Sequence, residues 1–216
     1  MKIRRASSRG KAKADWIESR RMFSNNSYWD PNYMRWESIE VVNDDILQPG
    51  HMVPRHQHKH LDILGYLIDG TLEHEDSLGN KLMTSSGDVQ HMKCGDSIFH
   101  TEKCVSETPA RYIQIWVSPG EETPGTKYEL VRRPAGFGKL EVVIDRKNIE
   151  IYCGERKDTG VLDIKTKALL YVISGTVHIA NDILSKGDSA ELESEYVHAD
   201  FDAHIILFQI LPVEVE

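Results

Sequence analysis

The sequence predicts an all-β protein made of two related β-barrels, with few short helices. From residue 38 onward, apolar and β-branched residues come in short runs that end at Gly, Pro, Asn or Asp. No long stretch with the 3.6-residue period of a helix separates these runs. The second half of the chain also echoes the first, which favours a duplicated domain.

The echo is a repeated pattern of strand, glycine turn and strand. Residues 65–74 (GYLIDGTLEH) correspond to residues 170–179 (LYVISGTVHI), and the Gly-Asp pair at 87–88 corresponds to that at 187–188. Two copies of such a pattern are typical of two related barrels.

The domain boundaries follow from this repeat. We expect a first barrel over residues 1–119, a Gly- and Pro-rich linker over residues 120–138, and a second barrel over residues 139–216. Residues 14–40 are rich in Trp, Tyr and Asn, so we expect them to be irregular and to wrap around the first barrel. The basic residues before them predict a solvated strand or arm.

Composition excludes several classes of protein. The net charge of -8 argues against a protein that mainly holds nucleic acid, and no apolar run reaches the length of a membrane span. The basic N-terminal segment lacks the apolar block of a secretory signal. The three cysteines are odd in number and widely spaced, which fits a reducing compartment. We therefore expect a cytoplasmic protein that contacts neither membrane nor nucleic acid directly.

Two pairs of potential metal ligands lie within residues 50–102. They are His56 with His58, and His100 with Glu102. On a β-strand the i, i+2 spacing places both members of a pair on one face. Because several buried titratable groups are costly without an ion, the pairs predict a metal site with all four residues as ligands. Three imidazoles and a carboxylate suit Fe2+, Ni, Co, Cu or Zn better than Ca or Mg.

Other polar residues near these pairs have other predicted roles. His51 and His60 are expected at the surface or in support of the ligands, and His74 and His91 are expected to be structural. Asp62 is interpreted as either an alternate ligand or a group that orients a histidine.

The second half does not repeat the ligands. Val161 and Asp163 stand at the positions that match His56 and His58, and aspartates stand near those that match the second pair. We therefore expect a metal in the first barrel alone.

The first half resembles the pirin family. The resemblance rests on the His-x-His spacing within residues 50–70 and covers residues 3–117 through the motifs RASSRG, WIESRRMFS, SYWDPNYM, VVNDDILQPG, HEDSLGN, GDVQHMKCG and HTE. It implies a bicupin, that is, two stacked barrels of the double-stranded β-helix type. It also implies one metal, usually iron, bound in the N-terminal barrel by the residues that fall here on His56, His58, His100 and Glu102.

The chain departs from the usual pirin pattern at a few positions. It has Arg-Met at residues 21–22 in place of His-Thr, Asp62 in place of Glu, His91 in place of Trp, and Ser97 in place of Gly. None of these changes removes an expected ligand. Because Asp62 and His91 are expected near the pocket, the departures bear on the range of substrates.

The resemblance implies two alternative functions. The first is a metal-dependent dioxygenase that opens flavonols such as quercetin with O2, with a small aromatic substrate and with Glu102 as the catalytic general base. The second is a non-enzymatic, iron-binding regulator that binds a partner protein. The expected cofactor is one divalent transition metal, with Fe2+ favoured and Ni, Co, Cu, Zn and Mn left open.

Overall fold

The computed structural model describes residues 1–119, 125–132, 136–139, 149–164, 166–193 and 196–211. The chain forms two compact units. The N-terminal unit contains Gly10–Arg132, and the C-terminal unit contains Met1–Arg9 together with the described residues from 136 onward.

Eighteen strands are found in the described residues. The first twelve are β1 (Lys2–Arg4), β2 (Gly10–Lys13), β3 (Ile17–Arg21), β4 (Ile39–Leu47), β5 (Met52–His58), β6 (Asp62–Asp69), β7 (Thr71–Asp76), β8 (Lys81–Ser85), β9 (Asp88–Cys94), β10 (Ile98–Cys104), β11 (Ala110–Val117) and β12 (Thr126–Arg132). The others are β13 (Gly138–Lys139), β14 (Ile149–Asp163), β15 (Lys167–Ile179), β16 (Asp182–Ser185), β17 (Ser189–Leu192) and β18 (Tyr196–Ile210). One 3-10 turn, Ala6–Ser8, is the only helical element in these ranges, where no helix is long and apolar enough to cross a membrane.

The described residues are nearly all β-strand and turn, which confirms the all-β prediction. All pairs between these strands are antiparallel. The N-terminal unit has a seven-stranded sheet in the order β12-β9-β6-β11-β4-β3-β2 and a four-stranded sheet in the order β5-β10-β7-β8. The C-terminal unit has one seven-stranded sheet, β1-β17-β15-β18-β14-β13, with β16 paired to β15. Pairing along each sheet follows an open path, so closure into barrels and their stacking stay predictions.

Each unit is held by apolar side chains that alternate along its strands. On β10, for example, buried and less buried residues follow one another with a period of two, so one face points into the unit. The N-terminal core includes Leu47, Leu67, Leu72, Tyr112, Ile63, Met92 and Ile98. The C-terminal core includes Leu170, Val172, Val177, Leu184, Phe201, Ile205 and Leu207.

The predicted repeat appears as the same backbone geometry in both units. Gly70 and Gly175 have φ values of 81° and 79°, in the left-handed region. In both Gly-Asp pairs, at residues 87–88 and 187–188, the glycine also has a positive φ and the aspartate accepts a 3.1 Å bond from the backbone N–H three residues earlier. The echo in sequence therefore reflects the same two turns built twice.

Two predicted boundaries differ from the structure. Residues 1–9 belong to the C-terminal unit, because β1 pairs with β17. Within the predicted linker, β12 pairs with β9 along its whole length and is an edge strand of the N-terminal sheet. Residues 120–124 and 133–135 of that linker lie outside the described residues. The sequence did not indicate a strand at β12, because Pro flanks the segment and the charged residues Lys, Glu and Arg occur within it.

The segment at residues 14–40 is only partly irregular. It contains β3, which pairs with β2 and β4, and its last two residues are the first two of β4. Beyond β3, residues 22–38 are irregular, with isolated bridges and turns. The prediction of a wholly irregular segment was therefore wrong for β3, where tertiary pairing with β4 outweighs a polar composition.

We predict that Gly70→Ala destabilises the protein more than Gly79→Ala. Both glycines have positive φ, so each alanine costs about 1–2 kcal/mol in backbone strain. A Cβ on Gly70 would also lie 2.8 Å from the Cα of Ala110, whereas one on Gly79 meets nothing within 4 Å. The further cost at Gly70 is about 1–3 kcal/mol. Urea unfolding of both variants measures the difference, and equal losses would contradict the close approach.

Candidate metal centre

Antiparallel pairing of β5 with β10 brings the histidines together. His100 is directly opposite His56, and Ile98 is opposite His58. Since His56 and His58 are two residues apart on one strand, they share a face, and that face is continuous with the buried face of β10 in the same sheet.

A β-bulge next to this pair sets the orientation of His56. Between the pairs His100–His56 and Glu102–Val53, β5 has one residue more than β10. The carbonyl oxygen of Pro54, in this bulge, lies 2.8 Å from Nδ1 of His56. Because a carbonyl only accepts, Nδ1 carries the proton and donates it, and Nε2 keeps its lone pair for an ion.

The three imidazoles are close enough to share one ion. Nε2 of His56 lies 3.1 Å from Nε2 of His100, and the candidate ligand atoms of His56, His58 and His100 all lie within 4.8 Å of one another. Two nitrogens that are each 2.0–2.1 Å from one metal are separated by about 2.9–3.4 Å. Nε2 of His58 is buried without a hydrogen-bond partner. The donor set therefore fits a divalent transition metal.

Burial keeps these imidazoles in the form that binds metals. Burial first, and the neighbouring histidines second, lower the pKa of His58 to about 4 and that of His100 to about 2. Both rings are thus neutral at neutral pH and able to coordinate without first losing a proton.

Glu102 lies two residues beyond His100 on the same buried face of β10. Its carboxylate is not part of the group of three histidines, and it accepts a hydrogen bond from the Tyr112 hydroxyl. Burial, with a smaller contribution from the charge of Asp45, raises the pKa of Glu102 to about 7. Oε2 is buried and has no hydrogen-bond partner. The structure thus places Glu102 beside the histidines, and its coordination of the ion stays a prediction.

His74, expected to be structural, lies beside the same site. It is fully buried, its Nε2 is 3.0 Å from Asp76 Oδ2, and its ring stacks on Tyr128 with centroids 3.9 Å apart. On the strand next to β10 it is opposite Glu102, and its ring centroid is 5.4 Å from that of His100. The i, i+2 spacing of His74 and Asp76 was the available signal, because it puts both on one face of β7.

Asp62 orients a histidine outside the metal group. Its Oδ1 lies 2.8 Å from Nε2 of His91, and Nδ1 of His91 lies 3.0 Å from Glu129 Oε1. Asp62 and His91 are both buried. This agrees with the second interpretation of Asp62, and the two departures from the pirin pattern are paired with each other. His51 and His60 are exposed.

A cavity of about 790 Å³ lies next to the histidines within the N-terminal unit. Its lining includes His56 and His58, the aromatic residues Trp16, Tyr112 and Trp116, and the polar residues Arg21, Asn43, Asp45 and Gln114. The volume is in the range of small-molecule sites. His58 contacts Trp116 edge-on, with ring centroids 5.0 Å apart, so the metal group faces an aromatic wall.

Comparison with known proteins identifies the family. Residues 2–117 match the family model described as Pirin. The chain belongs to the pirin family.

Relatives of this pirin-family chain include curated proteins and solved structures. A quercetin 2,3-dioxygenase from Escherichia coli (strain K12) is 32% identical over 228 residues, which cover 98% of this chain and 99% of that protein. A pirin-like protein from Caulobacter vibrioides is 41% identical over 110 residues, covering 51% of this chain and 47% of that protein. The crystal structure of the bacterial pirin YhhW from E. coli in complex with nickel(II) has a TM-score of 0.87 and 32% identity, covering 98% and 99% of the two chains.

Among the residues that the structure describes, the three histidines are the only group of three or more candidate ligands. In the C-terminal unit, Val161 is exposed and is paired with His198 across β14 and β18. Asp200 is paired with Thr159 and accepts its hydroxyl at 2.6 Å.

We predict that His58→Ala lowers the metal bound per chain well below that of the parent protein. Loss of one of three imidazoles removes a buried ligand atom that has no other partner. His51→Ala is the matched control, because His51 is an exposed histidine of the same unit. Elemental analysis of the purified proteins measures the effect, and equal metal content in all three would exclude His58 as a ligand.

We predict that His91→Gln destabilises the protein more at pH 6 than at pH 9. Burial alone lowers the pKa of His91, but the hydrogen bonds and charges of Asp62 and Glu129 outweigh it and raise the pKa above 6.5. A raised pKa in the folded state contributes stability that is fully present below the unfolded value and is lost as pH rises through the folded value.

Urea unfolding at both pH values tests this, with His51→Gln as the exposed control. A loss for His91→Gln that is equal at the two pH values, or larger at pH 9, would show that His91 is neutral between its two carboxylates.

Proposed function

We propose that this chain is a metal-dependent dioxygenase of the pirin type that opens flavonols such as quercetin with O2. The observation that carries the proposal is the convergence of His56, His58 and His100 on one point beside a cavity of about 790 Å³. The names of its relatives support the same reaction. No other group of described residues offers a comparable set of ligands.

The proposed cofactor is one divalent transition metal held by His56, His58, His100 and Glu102. The nickel(II) complex of the E. coli relative supports a divalent ion, and the pirin resemblance favours Fe2+. When bound, the metal supplies Lewis acidity toward the 3-hydroxyl and 4-oxo oxygens of the flavonol and a position for both reactants.

Glu102 is proposed to accept the proton of the 3-hydroxyl group. Its Oε2 has no hydrogen-bond partner, while Tyr112 donates to the carboxylate and fixes its orientation. A carboxylate held in this way is suited to general-base catalysis. Removing the proton makes the heterocycle electron-rich, so that both atoms of O2 can be added and carbon monoxide lost.

The cavity walls are proposed to hold the flat ring system and to exclude water. Trp16 and Trp116 present large apolar surfaces, and Tyr112, which also lines the cavity, donates a hydrogen bond to Glu102. His58 and Trp116 are in contact, so a planar ligand on this wall lies next to the ligand histidines.

We predict that Glu102→Gln lowers the rate of flavonol oxidation by roughly a hundredfold or more, because the amide cannot accept the proton. Glu107→Gln, an exposed substitution in the same unit, is expected to keep the parent rate. Loss of quercetin absorbance, O2 uptake and carbon monoxide release measure turnover for metal-loaded and chelator-treated protein.

Metal-loaded parent protein that leaves quercetin unchanged would overturn the dioxygenase proposal for this substrate. If such a protein still binds iron and captures a partner protein only in that form, the regulator hypothesis is favoured. A parent-like rate in Glu102→Gln would remove Glu102 from the reaction.

A further inference from the structure

The cavity beside the metal group contains a buried guanidinium group. Arg21 is the last residue of β3, is only 9% exposed and lines the cavity. Asn43, directly opposite on β4, lines the same cavity and is 5% exposed. A charged and a polar side chain are thus buried side by side on one wall.

The partners of Arg21 do not neutralise its charge. Nη1 donates to the backbone oxygen of Asn25 at 2.8 Å and to the hydroxyl oxygen of Ser27 at 3.2 Å, and both acceptors are neutral. Nε is buried without a hydrogen-bond partner. Nearby on the same sheet, Arg111 forms two bonds of 2.9 and 2.8 Å to Asp44. No carboxylate of the described residues forms such a pair with Arg21.

This arrangement is costly unless an anion completes it. A buried charge without a counter-ion loses its hydration and gains little in return. The bonds to Asn25 and Ser27 explain how Arg21 orders the loop after β3, but they use Nη1 alone. The Oδ1 atom of Asn43 is also buried and unpaired, but an amide oxygen only accepts hydrogen bonds, so the anion is bound by Arg21 and not by this atom.

The cavity lining has three basic residues, Arg21, Lys13 and Lys59, and one acidic residue, so its net charge favours an anion. Lys13 and Lys59 belong to the lining, and Lys13 lies 3.5 Å from Glu18. Asp45 is the only acidic residue of the lining. It lies opposite Ser19, on the same sheet face as Arg21 and Asn43, and its charge also acts on Glu102 and Tyr112.

We propose that Arg21 binds a carboxylate substituent of the substrate, so that the cavity prefers an aromatic ring system that carries a carboxylate over the same ring system without one. The inference rests on the proposed function, since it assigns the substrate class of the same cavity. The guanidinium offers charge-assisted hydrogen bonds to the carboxylate, while the aromatic body lies along Trp16 and Trp116.

Binding of cinnamate and of cinnamamide, two ligands of the same shape and different charge, tests the proposal. Calorimetry on the metal-containing protein is expected to give at least tenfold tighter binding of the acid. Arg21→Gln removes that preference and leaves the affinity for the amide unchanged. Arg20→Gln keeps it, because Arg20 is on the same strand, does not line the cavity and is paired with Glu18.

Arg21→Lys provides a second variant should the Gln variant unfold, since it keeps the charge but not the planar fork, and is expected to retain part of the preference. Equal affinities for acid and amide in the parent protein would overturn the proposal. So would a preference that persists in Arg21→Gln, because the carboxylate would then be bound elsewhere, for example at the metal. Neither measurement requires turnover, so the two proposals can fail separately. An Arg21-dependent preference in a protein that leaves quercetin unchanged would contradict the dioxygenase proposal for quercetin and support the anion site.

Discussion

The register of β5 against β10 is the constraint on which the site depends. It places His56 opposite His100 and leaves His58 on the same face. A slip of one residue would turn the ligands of one strand away from those of the other. The bulge at Pro54 adds a second condition, because the carbonyl that it frees holds the proton of His56 on Nδ1. Backbone geometry thus decides both where the imidazoles lie and which nitrogen is available.

The interior of the N-terminal unit contains more polar groups than a metal site alone requires. Some of these groups form hydrogen bonds with one another, and others have no hydrogen-bond partner within the protein. Asp62 with His91, and His74 with Asp76, form buried hydrogen-bonded pairs, although Nδ1 of His74 has no hydrogen-bond partner. Nε2 of His58 also has no hydrogen-bond partner. Two of the buried atoms without a partner belong to residues for which we propose a ligand outside the chain: Nε2 of His58, for the metal, and Nε of Arg21, whose guanidinium we assign to a carboxylate.

Much of this could be predicted from sequence, because it depends on short-range spacing. The i, i+2 pairs gave the strand faces of His56, His58 and His100, and the repeated glycines predicted turns that recur with nearly equal φ at Gly70 and Gly175. Long-range pairing could not be predicted in this way. The assignment of residues 1–9 to the C-terminal unit, the strand β12, and the approach of Tyr112 to Glu102 all depend on which strands become neighbours.

The three histidines imply that one metal ion is bound between β5 and β10. Anomalous X-ray diffraction at the absorption edge of the metal found in the purified protein tests it most directly. We expect one peak per chain, about 2 Å from a ring nitrogen of each of His56, His58 and His100. A peak at any other position, such as in the C-terminal unit, or the absence of a peak between these three rings in metal-containing crystals, would contradict it.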